Sequence, residues 1–471
     1  MNGFFKNPLS PVLFELYFTT TKVPAKILSV VLFLWGSTAF AQIEWLKRAG
    51  GASPDLANGL WANEQGDVFV TGSISGSAKF YKSEVVSRGG GDVYVAHFNS
   101  SGGLVWVKTF GGKLDDFATA ITGDPEGNLY ITGVYTDSAQ FGDYELYSKG
   151  NDLFTAKINP KGNVVWVKTL GTAGTAISSA IAVTDQGGVF IGGVYSGNFD
   201  NDKIKLNRGQ TDGFVCKLDW EGNRTWTRVF GGPGFEELSV LKTDPWGRVL
   251  AGAVFDQFMY VNDQVYEGSS SKSGAVILYE STSEVVWTKV FSGQDAQCSI
   301  HDAVTDLQGT SYISGKFSGE MNFGEVTASS KGQTDAFVLA IEKGGSIRWI
   351  SALGGSQTDD ALALELLPNG KSILMAGQFS TLIEHGRKSL TADFDNQFYM
   401  AKWDTRGNLD DLKKLPFNTS FTCEGKKINS QGRLHVCGSF TGKPTFGKMP
   451  LVSGGEEDIF VGVLSDSKIA R

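Results

Sequence analysis

The strand "VVWVKTL" at residues 164–170 is rewritten along the chain as "LVWVKTF" from Leu104, "VVWTKVF" from Val285 and "IEWLKRA" from Ile43. Trp45, Trp106, Trp166, Trp226, Trp287 and Trp349 recur at spacings of 61, 60, 60, 61 and 62 residues, and a seventh register falls at Asp411. A period of this order implies stacked units or a ring of them, because one such unit cannot bury its own apolar surface. Length alone suggests about three domains for 471 residues. The repeat replaces that expectation with one element copied many times.

Each copy carries four strand-like segments. In residues 106–165, "FATAITGD" from Phe117 runs through the turn "DPEGN" into "LYITGVYT". A longer connection, often holding Phe-Gly or Phe-Asp, delivers the chain to "DLFTAKINP", and a second glycine turn, "PKGN", leads to the Trp strand. Gly accepts the positive φ that ends such turns, while Asp or Asn bonds the turn backbone. A lone four-stranded sheet with two apolar faces is unstable, so neighbours must cover both. Radial closure does this with short connections. The expected fold is therefore all-β: a seven-bladed β-propeller of four-stranded antiparallel blades, occupying residues 42–471 as a single domain. The region begins with a lone Trp strand at residues 43–48 and ends with "DIFVGVLSD", a third strand that lacks its fourth. Closure by pairing the N-terminal strand with the last blade follows.

Residues 1–41 read as an export signal: Lys22 and Lys26 precede the apolar run "ILSVVLFLW", and Ala39 and Ala41 supply the small residues of a cleavage site. The run is short for a bilayer span, so no membrane span is expected after cleavage, and the compartment is the periplasm, the cell surface or the medium. Removing this segment takes away three Lys and one Glu and leaves a net charge of −10. Such a surface disfavours nucleic acid and anionic membrane as partners. Four Cys are too few for a disulfide scaffold. Cys423 and Cys437 flank the turn "NSQG" at nearly equal distances, which suggests one disulfide; Cys216 and Cys298 are expected to be free.

The succession "D-x-F-V-A-K", a glycine turn, "W-x-K-x-F-G-G", then "D-x-A" and "D-x-x-G-N-x-Y-x-T-G" resembles the SBBP beta-propeller repeat of exported bacterial proteins over nearly all of residues 43–465. The resemblance implies a propeller outside the cytoplasm and brings no catalytic residues with it. Two copies depart: "SGAVILYESTSEVVW" has Ser273 in place of the third-strand Asp, and "NLDDLKKLPF" has Asp411 in place of Trp.

Two acidic sets recur. Asp92, Asp152, Asp212, Asp335 and Asp458 stand at the start of third strands, a frequency that suits a structural bond to loop backbone. Asp55, Asp116, Glu236 and Asp359 each stand ten residues after a Trp, in the link between successive units. These four are expected to approach the central channel on one face, where they either hold a hard cation such as calcium or cap their own turns. No other cofactor is implied. His301 falls near the same mouth and, without an identifiable nucleophile, reads as structural. Trp220 and Trp246 lie in glycine turns of adjacent units, on the opposite face; exposed aromatics there either cover a blade edge or stack on a sugar or protein. No G-x-S-x-G elbow or H-E-x-x-H is present. The expected role is that of a non-enzymatic exported monomer presenting loops to an envelope protein or glycan. The alternative is a polysaccharide hydrolase or lyase using the carboxylates at the channel mouth.

Overall fold

The computed structural model describes residues 42–170, 175–185, 188–197, 208–269, 271–415, 421–447 and 449–465. The export signal proposed for residues 1–41 lies outside the described residues. The described chain is all-β, and none of its helices is long and apolar enough to cross a membrane.

Among these residues, each of seven units consists of four antiparallel strands. Unit 1 comprises Asp55–Ala62, Val68–Phe80, Ser83–Phe98 and Leu104–Gly112. Units 2 to 6 repeat the order, with first strands Phe117–Gly123, Ala176–Thr184, Glu236–Thr243, Gln297–Thr305 and Asp359–Leu366. Unit 7 takes Phe421–Ile428, Leu434–Phe440 and Asp458–Ser465 from the end of the chain and its fourth strand, Gln42–Gly51, from the beginning. The terminal pairing runs from Gln42↔Ser465 to Ala49↔Ile459. The first strand of each unit packs on the first strand of the next, and that of unit 7 packs on that of unit 1.

The alternating pattern is answered by the packing. Apolar clusters lie between successive sheets, for instance Val276, Leu278, Trp287 and Phe291 of unit 4 against Ile300, Ile313, Phe317 and Phe337 of unit 5. The connection between second and third strands, read from sequence only as a longer connection, is itself a hairpin in the units where it is described. Phe258–Val261 and Gln264–Glu267 form one, and it pairs with the fourth strand of the preceding unit through Phe230↔Val261. The apolar alternation in "FMYV" turns the connection into a clamp on its neighbour. The corresponding connection of unit 3 lies outside the described residues.

The repeated Trp has a second task. Nε1–H of Trp45, Trp106, Trp166, Trp226, Trp287 and Trp349 donates to a carbonyl in the turn between third and fourth strands of the next unit, namely Ser100, Pro160, Trp220, Ser281, Lys343 and Thr405. The glycine of that turn is required twice over. Gly407 has φ +91°, and a Cβ there would stand 2.7 Å from the Trp349 ring. Asp411 replaces Trp where the next unit is unit 7. Its third and fourth strands come from opposite ends of the chain, so no connecting turn offers a carbonyl.

The Cys423–Cys437 disulfide expected from spacing is corrected: all four cysteines are buried free thiols. A bulge shifts the register, so Cys423 pairs with Gly438 while Cys437 pairs with Gly425. Neighbouring residues of one strand point to opposite faces. Cys423 accordingly packs in the core between units 6 and 7, and Cys437 packs in that between units 7 and 1. Equal distances from a turn therefore did not put the two sulfurs on one face.

Candidate functional site

The centre of the structure is a polar channel. Every first strand carries a one-residue bulge at the same place, and the residues left unpaired by the ladder are Asn58, Thr119, Ser179, Ser239, His301, Leu362 and Glu424. All seven line one cavity of about 520 Å³. A second cavity, about 570 Å³, continues toward the turns between first and second strands. Bulges re-aim single side chains, and here they turn one residue per unit toward the channel.

Five of these side chains tie their unit to the next, Thr119 through its Oγ1, which meets Ser178 Oγ at 3.2 Å. Asn58 Nδ2 donates to the Ala118 carbonyl at 2.9 Å, Ser179 Oγ to that of Leu238, Ser239 Oγ to that of Ile300 at 2.6 Å, and His301 Nδ1 meets that of Ala361 at 3.1 Å. Leu362 has no polar atom to continue the belt.

The ionisable groups of the channel gather on units 4 to 7. His301 Nδ1 stands 2.7 Å from Asp360 Oδ1, and Lys316 Nζ is 2.9 Å from Asp360 Oδ2. Both neighbours of Nδ1 are acceptors, so Nδ1 carries a proton in either charge state of the ring. Burial works to raise the Asp360 carboxyl, but His301 and Lys316 outweigh it and hold the group below its usual range. Asp302 accepts from the Leu364 N–H at 2.8 Å and pairs with Lys242 at 2.8 Å. Lys427 pairs with Glu365 at 2.5 Å; burial works to lower its pKa, but the nearby carboxylates raise it above its ordinary value. His301 was visible in the sequence, whereas its partners were not. The available signal was disagreement between copies: His301 falls 14 residues after its Trp, where the other channel residues fall 13 after theirs.

The acidic set expected at the channel mouth is elsewhere. Asp55, Asp116, Glu236 and Asp359 are buried at the junctions between units and are not among the residues that line the channel. Each accepts the backbone N–H four residues earlier: Gly51, Gly112, Gly232 and Gly355, at 2.7, 2.7, 2.9 and 2.7 Å. The turn-capping alternative describes them. Among the described residues no group of three or more His, Cys, Asp or Glu is arranged to hold a metal. The third-strand Asp set behaves alike, with Asp92, Asp212, Asp335 and Asp458 each accepting the N–H of the residue four earlier. Ser273 and Gln397, the exceptions by residue type, make the same bond to Ser269 and Asp393.

The two turn tryptophans separate. Trp220 lies over Tyr130 at 6.1 Å with Lys157 at its ring, and its carbonyl receives Trp166 Nε1. It covers a unit edge. Trp246 is 40% exposed, with Arg248 5.2 Å and Lys343 5.5 Å from its ring centroid. Arg248 is fixed beneath it by Asp244 at 2.6 Å. In the next unit's matching turn Leu307 is 75% exposed, and Gly309 of that turn lies against Lys343.

A further cavity, about 1140 Å³, lies on the perimeter between the Phe258–Glu267 hairpin, the fourth strand of unit 3 and the turn of residues 280–284. Ser283 occupies the usual glycine position there at φ +93° and is held by Arg228 through Nε to its carbonyl at 3.3 Å and Nη2 to its Oγ at 2.5 Å.

No family model matches the chain. An uncharacterized WD repeat-containing protein of Acanthamoeba polyphaga mimivirus is 23% identical over 176 residues, 32% of this chain; the match spans only 12% of that protein's length. Hydrazine synthase of Kuenenia stuttgartiensis aligns at 10% identity and TM-score 0.44 over 81% of this chain and 92% of its own. A puromycin hydrolase aligns at 10% identity and TM-score 0.45 over 89% of this chain and 53% of its own. A PL25 ulvan lyase aligns at 11% identity and TM-score 0.42 over 87% and 97% respectively. Likeness at this level lends no substrate and no activity to the present chain.

Proposed function

We propose that residues 42–471 are a seven-bladed β-propeller of the SBBP repeat type, exported by residues 1–41, which acts as a non-enzymatic scaffold binding a protein or glycan at the cell envelope. The cyclic packing of the seven first strands and the pairing of Gln42–Gly51 with Asp458–Ser465 support the ring. The observation that carries the binding role is the patch at the turn end formed by Trp246, Lys343 and Leu307. The Trp246 indole is partly exposed with two cations at its ring, one of them, Arg248, fixed by a buried ion pair. Such anchors dominate recognition surfaces.

The test is binding of residues 42–471 to glycan arrays and envelope extracts, with W246A and L307S. Binding weakened tenfold or more with melting temperature unchanged supports the patch; binding unaffected by both overturns it. The second reading, a polysaccharide hydrolase or lyase, no longer draws on Asp55, Asp116, Glu236 or Asp359, whose oxygens cap turns. It rests on His301, Asp360 and Lys316 in the channel, where a positioned imidazole can act as a base. Polysaccharide cleavage abolished by D360N would replace the scaffold reading with that one.

A further inference from the structure

The two acidic sets meet at four junctions between units. Asp92 faces Asp116, Asp212 faces Glu236, Asp335 faces Asp359, and Asp458 faces Asp55. All eight side chains are 0 or 1% exposed. At the first junction both carboxyls crowd one glycine: a Cβ on Gly111 would stand 2.6 Å from Asp92 Oδ1 and 2.9 Å from Asp116 Oδ2. Backbone N–H groups reach both oxygens of Asp55 and of Asp116 and one oxygen of Asp92, Asp212, Glu236 and Asp458, whose other oxygens, Asp92 Oδ1, Asp212 Oδ1, Glu236 Oε2 and Asp458 Oδ1, are buried without a hydrogen-bond partner. At the Asp212–Glu236 junction both acids have such an oxygen. Two carboxylates buried side by side cannot both stay ionised cheaply, and a bare buried acceptor is costly. One proton answers both problems, since a protonated carboxyl supplies a donor and removes a charge.

The occupant is a proton rather than a cation on the donor count. Each junction offers two carboxyls, and their remaining oxygens are committed to backbone N–H groups, whereas calcium takes six to eight oxygens. The surrounding charges are few: Arg88 and Asp115 at the first junction, Arg208 and Asp256 at the second, Lys331 at the third and Arg48 at the fourth. Among the described residues Arg48 makes a direct ion pair with a junction acid, at Asp458.

We propose that each junction holds a proton shared between its two carboxyls, so that the ring tightens in mildly acidic surroundings and loosens as the medium turns alkaline. Burial is the largest cause in every pair, pushing Asp55 and Asp116 up to about 6, Asp359 to about 7 and Glu236 to about 8. Groups raised in the folded state contribute stability that is complete below their unfolded pKa and is lost as pH rises through the folded value. His97 and His435, held neutral by burial, act in the opposite sense when the medium is acidified. The informative window is therefore pH 6.5 to 8.5, above the ordinary His value of about 6.5.

Residues 42–471 are melted across that window, and proton exchange on unfolding is measured at pH 7 by calorimetry in buffers of different ionisation heat. The melting temperature is expected to fall as pH rises, and E236Q is expected to release about one proton fewer than the parent chain on unfolding. D92N at another junction flattens the profile similarly at the acid end, and serves if E236Q does not fold. A protonated-carboxyl infrared band in the folded parent, lost by pH 8.5, is expected as well. A flat or rising melting profile with no such band overturns the proposal. Calcium that raises the melting temperature at pH 8, reversed by chelation, also overturns it and puts a cation at the junctions.

Discussion

Removing Gln42–Gly51 from residues 42–471 is expected to abolish cooperative melting or to lower the melting temperature by about 10 °C or more. The strand supplies buried Trp45 and Ala49 to the core between units 7 and 1. It pairs along its length with Asp458–Ser465 and brings Arg48 to Asp458 at 2.5 Å. Losing one buried Trp costs about 3–5 kcal/mol, against about 5–15 kcal/mol for a whole native state. The deletion loses more than the Trp, because an unpaired third strand is left at a sheet edge. A peptide of residues 42–51 added in trans is expected to restore the transition by strand addition. If the truncated chain melts like the parent, the terminal pairing does not hold the ring.

The second large effect is expected at the indole links. W287A loses a buried ring at the core between units 4 and 5 together with the bond to Lys343, at a cost of about 3–5 kcal/mol in denaturant unfolding. W287F keeps most of the ring and loses the donor, at about 1–2 kcal/mol. D411W, which restores the repeat at its only exception, is expected to add nothing, because unit 7 has no turn joining its third and fourth strands. Stabilisation by D411W comparable to the loss in W287A would show that Trp works by packing alone.

Legibility followed the range of the interactions concerned. The four-strand unit, its glycine turns and the orphan strand at the front were readable because alternation and turn chemistry act over a few residues and were repeated. The second-to-third connection was not resolved into strands because its four-residue strands are short and its partner is the preceding unit's edge. The cysteines were misread because one bulge reverses which face a residue occupies, and bulges leave no fixed signature. His301 was found but its partners were not: Asp360 belongs to the next unit, about sixty residues away in sequence, and only the packing of one unit on the next brings the two to 2.7 Å.

By itself, then, the sequence determined the all-β unit, its antiparallel strands and its glycine turns, all of which follow from local pattern and period. Tertiary structure decided where the acids go. Asp55, Asp116, Glu236 and Asp359 were legible as a repeated set. Whether they face water in a channel or one another in a buried junction depends on how adjacent sheets pack, and burial is a property of that packing rather than of residue type.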